Sequence, residues 1–482
     1  MTTTDAARTP RATSSDQKLE GKLGVGGLVL TALAFNTPLA TMGGFVPLVI
    51  GMGVGAATPF VYLAVMVLML LFAVGLVHMA KHMEKPGAFY SYVTAGIGRI
   101  PGLGAGFLAL ISYFFIVVGV YVLGGYLWNN LFMTDFGTPS LPWWLWVIPG
   151  FLVVSALTLF NIEVSGKALV VILGLETVSV LIWEAFVFAK GGAHGVGLPV
   201  TAQLHTGSVG FAALWGIGCM MGFESIQVFR AETREPERTV PRATYLTVIF
   251  LAGFYALGSW AYLAAFGTDA ALATAADPTG SFMASVAEYV SASYAKVVYF
   301  LLVTTGMAAT LSLQNILARY LFAFGRDRVL PSWLGHAHPR FRSPARAAAV
   351  VFAVIGVSLV IIALVDPDVV HAYSALTGIG NIVLQILLVL TAISIIVYFR
   401  RRTDLQEGTW KTLIAPALAA LGLGTVVFLD FKNRALVVGD TTLADIGLAV
   451  VLAVFLAGAV YARWLRRNRA DVWERIGNQD GA

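Results

Sequence analysis

Charge is what this chain has least of. Over 482 residues only 12% are Asp, Glu, Lys or Arg, against about 25% in soluble domains. Such a chain cannot cover itself with a solvated surface, which excludes an ordinary soluble enzyme. Cysteine is nearly absent: Cys219 alone rules out an internal disulfide framework. The first twenty residues are polar and lack the apolar stretch of a cleavable signal peptide, so residues 1–22 read as a disordered cytoplasmic tail. Also missing are an HExxH motif, a phosphate-binding Gly-Lys-Ser loop and an inward cluster of Asp and His. These absences argue against a membrane enzyme and give no metal site and no cofactor. Repeated selectivity-filter rings are lacking too, which argues against a channel.

What is present is apolar content, 58%, gathered in blocks long enough to cross a hydrocarbon core of roughly twenty residues. Twelve blocks can be placed. They run Gly24–Ile50, Ala56–Met79, Gly102–Leu131, Pro142–Phe160, Ala168–Lys190, Val209–Arg230, Ala243–Phe266, Lys296–Phe324, Ala347–Val365, Ala372–Phe399, Leu413–Leu429 and Ile446–Trp464. The net charge of +5 is a topology signal and not a nucleic-acid one. All lysines and arginines except Lys190, Lys296, Lys432 and Arg434 fall in the tails or alternate loops. A wrong count would scramble that alternation, so the pattern predicts twelve transmembrane helices with both termini cytoplasmic. The chain is read as an all-α polytopic protein of the cell membrane, in contact with lipid, its oligomeric state open.

Two spans are interrupted. The first contains Asn36-Thr-Pro38 followed by Gly43-Gly44, and Pro38 removes a backbone donor inside the span. The sixth carries Gly216, Gly218 and Gly222 and the acid Glu224. An ionised acid at a membrane helix centre costs about 2.5–3.5 kcal/mol on insertion scales, so this span faces protein or water. Spans one and six open two five-span sets, and paired breaks of this kind point to a transporter site. Free amides at half-helix N-termini suit an anion, and unwound carbonyls suit an ammonium group. A short helix over Phe282–Val290 is expected above the outer mouth.

Four stretches resemble the amino acid–polyamine–organocation transporters: Gly87–Val93, Gly222-Phe-Glu-Ser225 with Glu232–Ala243, Ala318–Pro331, and Tyr398-Phe-Arg-Arg-Arg402. The resemblance implies a five-plus-five inverted-repeat core over residues 23–402, with accessory spans and a tail over 403–482. It implies alternating-access transport of an amino acid or related amine, polyamine and ethanolamine-type cations included, by symport or exchange. It also implies substrate contacts from Pro38, Thr41, Met42 and Gly43 in the first span and Gly218, Cys219, Met221 and Gly222 in the sixth. The family's Gly-Ser-Gly signature is here Ala40-Thr41-Met42.

Three acids lie within spans. Glu176 stands where similar proton-coupled transporters carry a lysine. It is read as the proton-coupling residue, with a structural hydrogen bond or a cationic substrate as the alternatives. Glu224 is read as the acid that holds the sixth-span break, and Glu184 as interfacial. The span-eight residues Thr304, Thr305, Thr310, Ser312, Gln314 and Asn315 could complete a sodium site, but protons are favoured over sodium. Tyr113, Phe114, Phe115 and Trp215 could wall a pocket or serve as packing.

Overall fold

The computed structural model describes residues 24–83, 89–160, 166–197, 207–224, 226–227, 233–338, 343–365, 368–405 and 407–477. The tail 1–22 lies outside them, as do Gly87 and Ala88 of the second-loop motif and Ser225 and Arg230–Glu232 of the sixth-span signature.

Among the described residues every long element is a helix, and ten stretches are long and apolar enough to cross a membrane: Pro38–Lys81, Arg99–Thr134, Trp143–Phe160, Val171–Ala189, Pro236–Phe266, Ala292–Arg326, Ala345–Val365, Val369–Arg401, Trp410–Lys432 and Thr441–Asn468. They correspond to the ten expected spans without a break. The remaining two segments are the interrupted ones. The first begins as the twelve-residue helix Val25–Asn36 and restarts at Pro38; the sixth is the ten-residue helix Val209–Gly218. A count of twelve therefore depends on counting two broken segments as spans.

Local chemistry explains where these helices start and stop. Ser208, Ser291, Asp368 and Asp440 each cap a helix by accepting a backbone N–H three residues on. The opposite ends of several helices carry Lys81, Arg326, Arg400 and Arg401, or Arg466 and Arg467 in the last turn. Cations there complement the helix dipole. The polar caps and the arginines thus mark opposite ends of the bundle. The expected helix over Phe282–Val290 runs instead over Pro278–Tyr289, because Asp277 caps it through Gly280 and Pro278 supplies its first turn.

Val369–Arg401 is the central post, packed along Arg99–Phe136 and tied to it by the Ser112 hydroxyl donating to the Gly380 carbonyl at 2.8 Å. Thr441–Asn468 covers the outer flank of Arg99–Phe136, and Ala415–Lys432 covers Thr58–Lys81 and Val369–Arg401. The two broken segments lie inside this frame.

The first break is a sharp event. Val25–Asn36 ends at Thr37, whose φ of 41° and ψ of 72° are left-handed. A β-branched residue there is strained, by about 1–3 kcal/mol. Pro38 then starts the next helical piece, which loosens into a π-type turn over Thr41–Phe45. Thr37→Gly is expected to relieve that strain and raise the thermal unfolding midpoint in detergent, whereas Thr37→Val keeps it; equal midpoints for glycine and wild type would refute this.

Candidate functional site

A cavity of about 300 Å³ lies between the two breaks and the central post. From the first segment it is lined by Asn36, Thr37, Thr41 and Phe45, and from the sixth by Trp215, Gly218, Cys219, Met221, Gly222 and Glu224. Tyr373, Thr377 and Asn381 come from Val369–Arg401, Tyr113 from Arg99–Phe136, and Ser312, Arg319 and Tyr320 from Ala292–Arg326.

The two breaks are bonded to each other. The Asn36 side-chain amide donates to the Met221 carbonyl, joining the end of one half-helix to the unwound part of the other. In the sixth segment the helix tightens through Cys219, Met220 and Met221, then turns at Gly222, whose φ of 109° only glycine adopts readily. The freed Gly222 N–H donates to Glu224 Oε2 at 2.7 Å. Glu224 therefore closes the second break while its side chain borders the cavity. At Gly218 a side chain would meet the Asn381 amide oxygen at 2.7 Å and displace it, so glycine leaves Asn381 its place against the broken helix.

One end of the cavity is roofed by rings. Phe45 stacks on Trp215 at 4.7 Å and faces Tyr373 at 6.4 Å. Beyond the roof, Thr279 of the helix Pro278–Tyr289 donates to the Gly43 carbonyl at 3.1 Å, and Phe282 packs on Gly43. In the other direction the cavity extends past Tyr113 and Tyr320, whose rings lie 6.0 Å apart, to Arg319 near the arginine-rich end. The Trp215 indole N–H and the Tyr320 hydroxyl are buried in these walls with no hydrogen-bond partner. Buried polar groups are normally paired, so the walls offer a ligand ready donors.

Of the residues implied by the family resemblance, Thr41, Gly218, Cys219, Met221 and Gly222 line this cavity. Pro38, Met42 and Gly43 do not: Pro38 is buried away from it, Gly43 faces the outer helix, and Met42 points toward Gly258. Tyr113 and Trp215 are wall residues, while Phe114 borders a separate apolar pocket with Leu317 and Ile355. Among the span-eight polar residues Ser312 reaches the cavity. Thr304 and Thr310 bond their own helix, and Gln314 pairs with Ser155 and Thr158.

Glu176 lies behind the first break, off the cavity. It is fully buried, and the Leu39 amide, among the first free N–H groups after the break, points toward it without closing a hydrogen bond of normal geometry. Glu184, read from the sequence as interfacial, is instead buried at 2% exposure. The cause is Gly258 of the neighbouring helix, which leaves room for both Met42 and Glu184. A β-carbon there would stand 2.5 Å from the Met42 sulfur and 3.0 Å from Glu184 Oε1. Gly258→Ala should therefore displace the Met42 thioether and the Glu184 carboxyl while leaving the backbone of the first segment in place; a modest fall in thermal stability is expected, and an unchanged unfolding midpoint would contradict this packing.

Sequence reasoning missed Asn36, Tyr373, Asn381 and Arg319 as cavity residues. An asparagine immediately before a Thr-Pro break was a usable signal. For Tyr373 and Asn381 there was none, because a helix buried on all sides shows no polar face.

Paired broken helices around a central, largely apolar cavity with a few polar groups in an all-helical bundle define a membrane permease. The chain belongs to the amino acid permease family, whose model matches residues 25–455. The family fits a five-plus-five inverted-repeat architecture, and the chain is a multi-pass membrane protein and not an enzyme. It is similar to the low-affinity putrescine importer PlaP of Escherichia coli (strain K12), 24% identical over 440 residues, 89% of this chain and 92% of that protein. It is also similar to the branched-chain amino acid permease BcaP of Lactococcus lactis, 26% identical over 445 residues, 83% and 85% of the two chains. An uncharacterized transporter of Mycobacterium tuberculosis is 33% identical over 217 residues, 42% of this chain and 46% of that one.

Proposed function

We propose that this permease imports an organic ammonium compound across the plasma membrane by alternating access, in symport with protons, with both termini cytoplasmic. The observation that carries the substrate reading is how the two breaks use their own groups. At the sixth-segment break the protein's own Glu224 already takes the Gly222 amide, and at the first break the Leu39 amide faces Glu176 behind the cavity and not the cavity itself. Neither is turned to a substrate carboxylate. The cavity instead offers the Glu224 carboxylate, with Tyr113 and Tyr320 beside it, and the faces of Phe45, Trp215 and Tyr373. An acid among aromatic faces suits an ammonium group. A primary amine or diamine fits best, in keeping with the putrescine importer among the relatives.

Arg319 supports a second reading. It stands at the far end of the cavity, where it can meet the carboxylate of an amino acid whose ammonium lies at Glu224. For coupling, Glu176 is the proton carrier: uncharged it releases the Leu39 amide, charged it attracts it, so its protonation bears directly on the first break. The test is counterflow in proteoliposomes with labelled putrescine, ethanolamine and leucine, with and without a pH gradient. Competition by amines alone supports the first reading, competition by leucine the second, and competition by neither refutes both.

A further inference from the structure

The transport reading leaves two membrane-buried acids without a task, Asp430 in Ala415–Lys432 and Glu184 in Gly166–Ala189, and among the described residues no oxygen of either has a hydrogen-bond partner. Of the two, Glu184 lies beside the broken first segment, where Met42 is its neighbour. A buried carboxylate charge without compensation costs several kcal/mol in a real protein, a cost the uncharged acid does not carry. A group of that kind is informative when its neighbours can move.

Those neighbours are the parts that gate the outer side. Glu184 and Glu176 share the buried stripe of the helix Gly166–Ala189 with Ser179, Val180 and Trp183, about 12 Å apart at 1.5 Å rise per residue. The Trp183 indole, next to Glu184, donates to Ser285 of the helix Pro278–Tyr289 at 3.0 Å and packs on Phe282 at 5.1 Å. That same helix holds the Gly43 carbonyl through Thr279. One short helix thus holds Trp183, the residue next to Glu184, and grips the broken first segment together. Lifting it frees the break and the Trp183 ring beside the acid in a single movement.

The titratable groups around the stripe are few. Tyr255 stands toward Glu176, and Tyr262 beside Trp183, both on Pro236–Phe266 and both with unpartnered hydroxyls. Tyr294 donates to the Ser179 carbonyl, and Lys296 follows it on Ala292–Arg326. Glu288 and Tyr289 end the short helix, and Lys190 bonds the Glu288 carbonyl. None hydrogen-bonds Glu184.

We infer that Glu184 is the outer station of the proton route, taking a proton from the external solution when the helix Pro278–Tyr289 lifts and passing it inward to Glu176. One proton moves. A hydronium ion gives it to the Glu184 carboxylate and becomes water; Glu184 then returns to carboxylate as Glu176 becomes the acid. The separation exceeds one hydrogen bond, and water admitted by the open lid spans it, with the Tyr255 hydroxyl standing toward the Glu176 end.

This rests on proton symport with Glu176 as carrier, and the test separates the two. Purified wild type, Glu184→Gln, Glu184→Asp and Glu176→Gln are reconstituted, and accumulation of labelled putrescine and leucine under an inward pH gradient is compared with their counterflow. Glu184→Gln is expected to lose at least tenfold in gradient-driven accumulation while keeping half or more of wild-type counterflow, with Glu184→Asp recovering part of the loss. Wild-type accumulation in Glu184→Gln overturns the inference, and a loss confined to Glu176→Gln leaves the symport reading standing. Equal loss of accumulation and counterflow in Glu184→Gln marks a structural role and also overturns it. A wild type indifferent to the gradient sinks both. Infrared difference spectra between acid and alkaline buffer give a readout that needs no substrate: the protonated-carboxyl stretch must lose a component in Glu184→Gln, and an unchanged band counts against the inference.

Discussion

Replacing Glu224 by Gln is expected to weaken amine binding roughly 30- to 150-fold while leaving the protein folded. The figure follows from the loss of a charge-assisted contact, about 2–3 kcal/mol, at 1.4 kcal/mol for each factor of ten. Glutamine keeps an oxygen able to accept from the Gly222 N–H, so the break closed by the 2.7 Å bond is retained. Glu224→Ala removes both functions and is expected to lower stability as well, because the 2.7 Å bond that closes the break is lost. Equilibrium binding of labelled putrescine to the purified variants reads the first effect, and the unfolding midpoint reads the second. Equal affinity in wild type and Glu224→Gln would show that the ammonium group lies elsewhere.

The second large effect belongs to Glu176. Glu176→Gln is expected to abolish accumulation above equilibrium under a pH gradient, with counterflow kept. The amide cannot carry a proton between states, but it has the same shape in a site that is fully buried and off the cavity. Substrate affinity should therefore change by less than threefold, about 0.6 kcal/mol, which distinguishes it from Glu224→Gln. Gradient-driven accumulation at the wild-type level would remove Glu176 from the coupling path.

The local and the distant features of the fold were legible in the sequence to different degrees. Apolar blocks, basic alternation and the Pro38 and Gly222 breaks are local patterns, and a helix in a membrane must satisfy its backbone locally, so they transfer directly to structure. Which face a broken segment turns to the cavity is not local. Thr41 and Cys219 face inward, but Met42 is drawn toward the space left by Gly258, more than 200 positions later in the chain. Glu184 was misread for the same reason: near the end of an apolar run an acid is usually interfacial, and the room that buries this one is left by Gly258 of another helix. Asn36 was passed over because its partner, the Met221 carbonyl, is created by a break 185 residues away.

That separation has a consequence for how the protein is made. The first segment leaves the ribosome long before the sixth, so the Asn36 side-chain amide waits in the membrane for a partner still unsynthesised. During that interval the first segment is a poor resident of lipid, with an unmatched side-chain amide and a left-handed kink. Completion of the sixth segment is therefore what ends its exposure. Newly made chains cut off before Met221 should be handed to quality-control proteases, while chains that reach just beyond it should begin to persist.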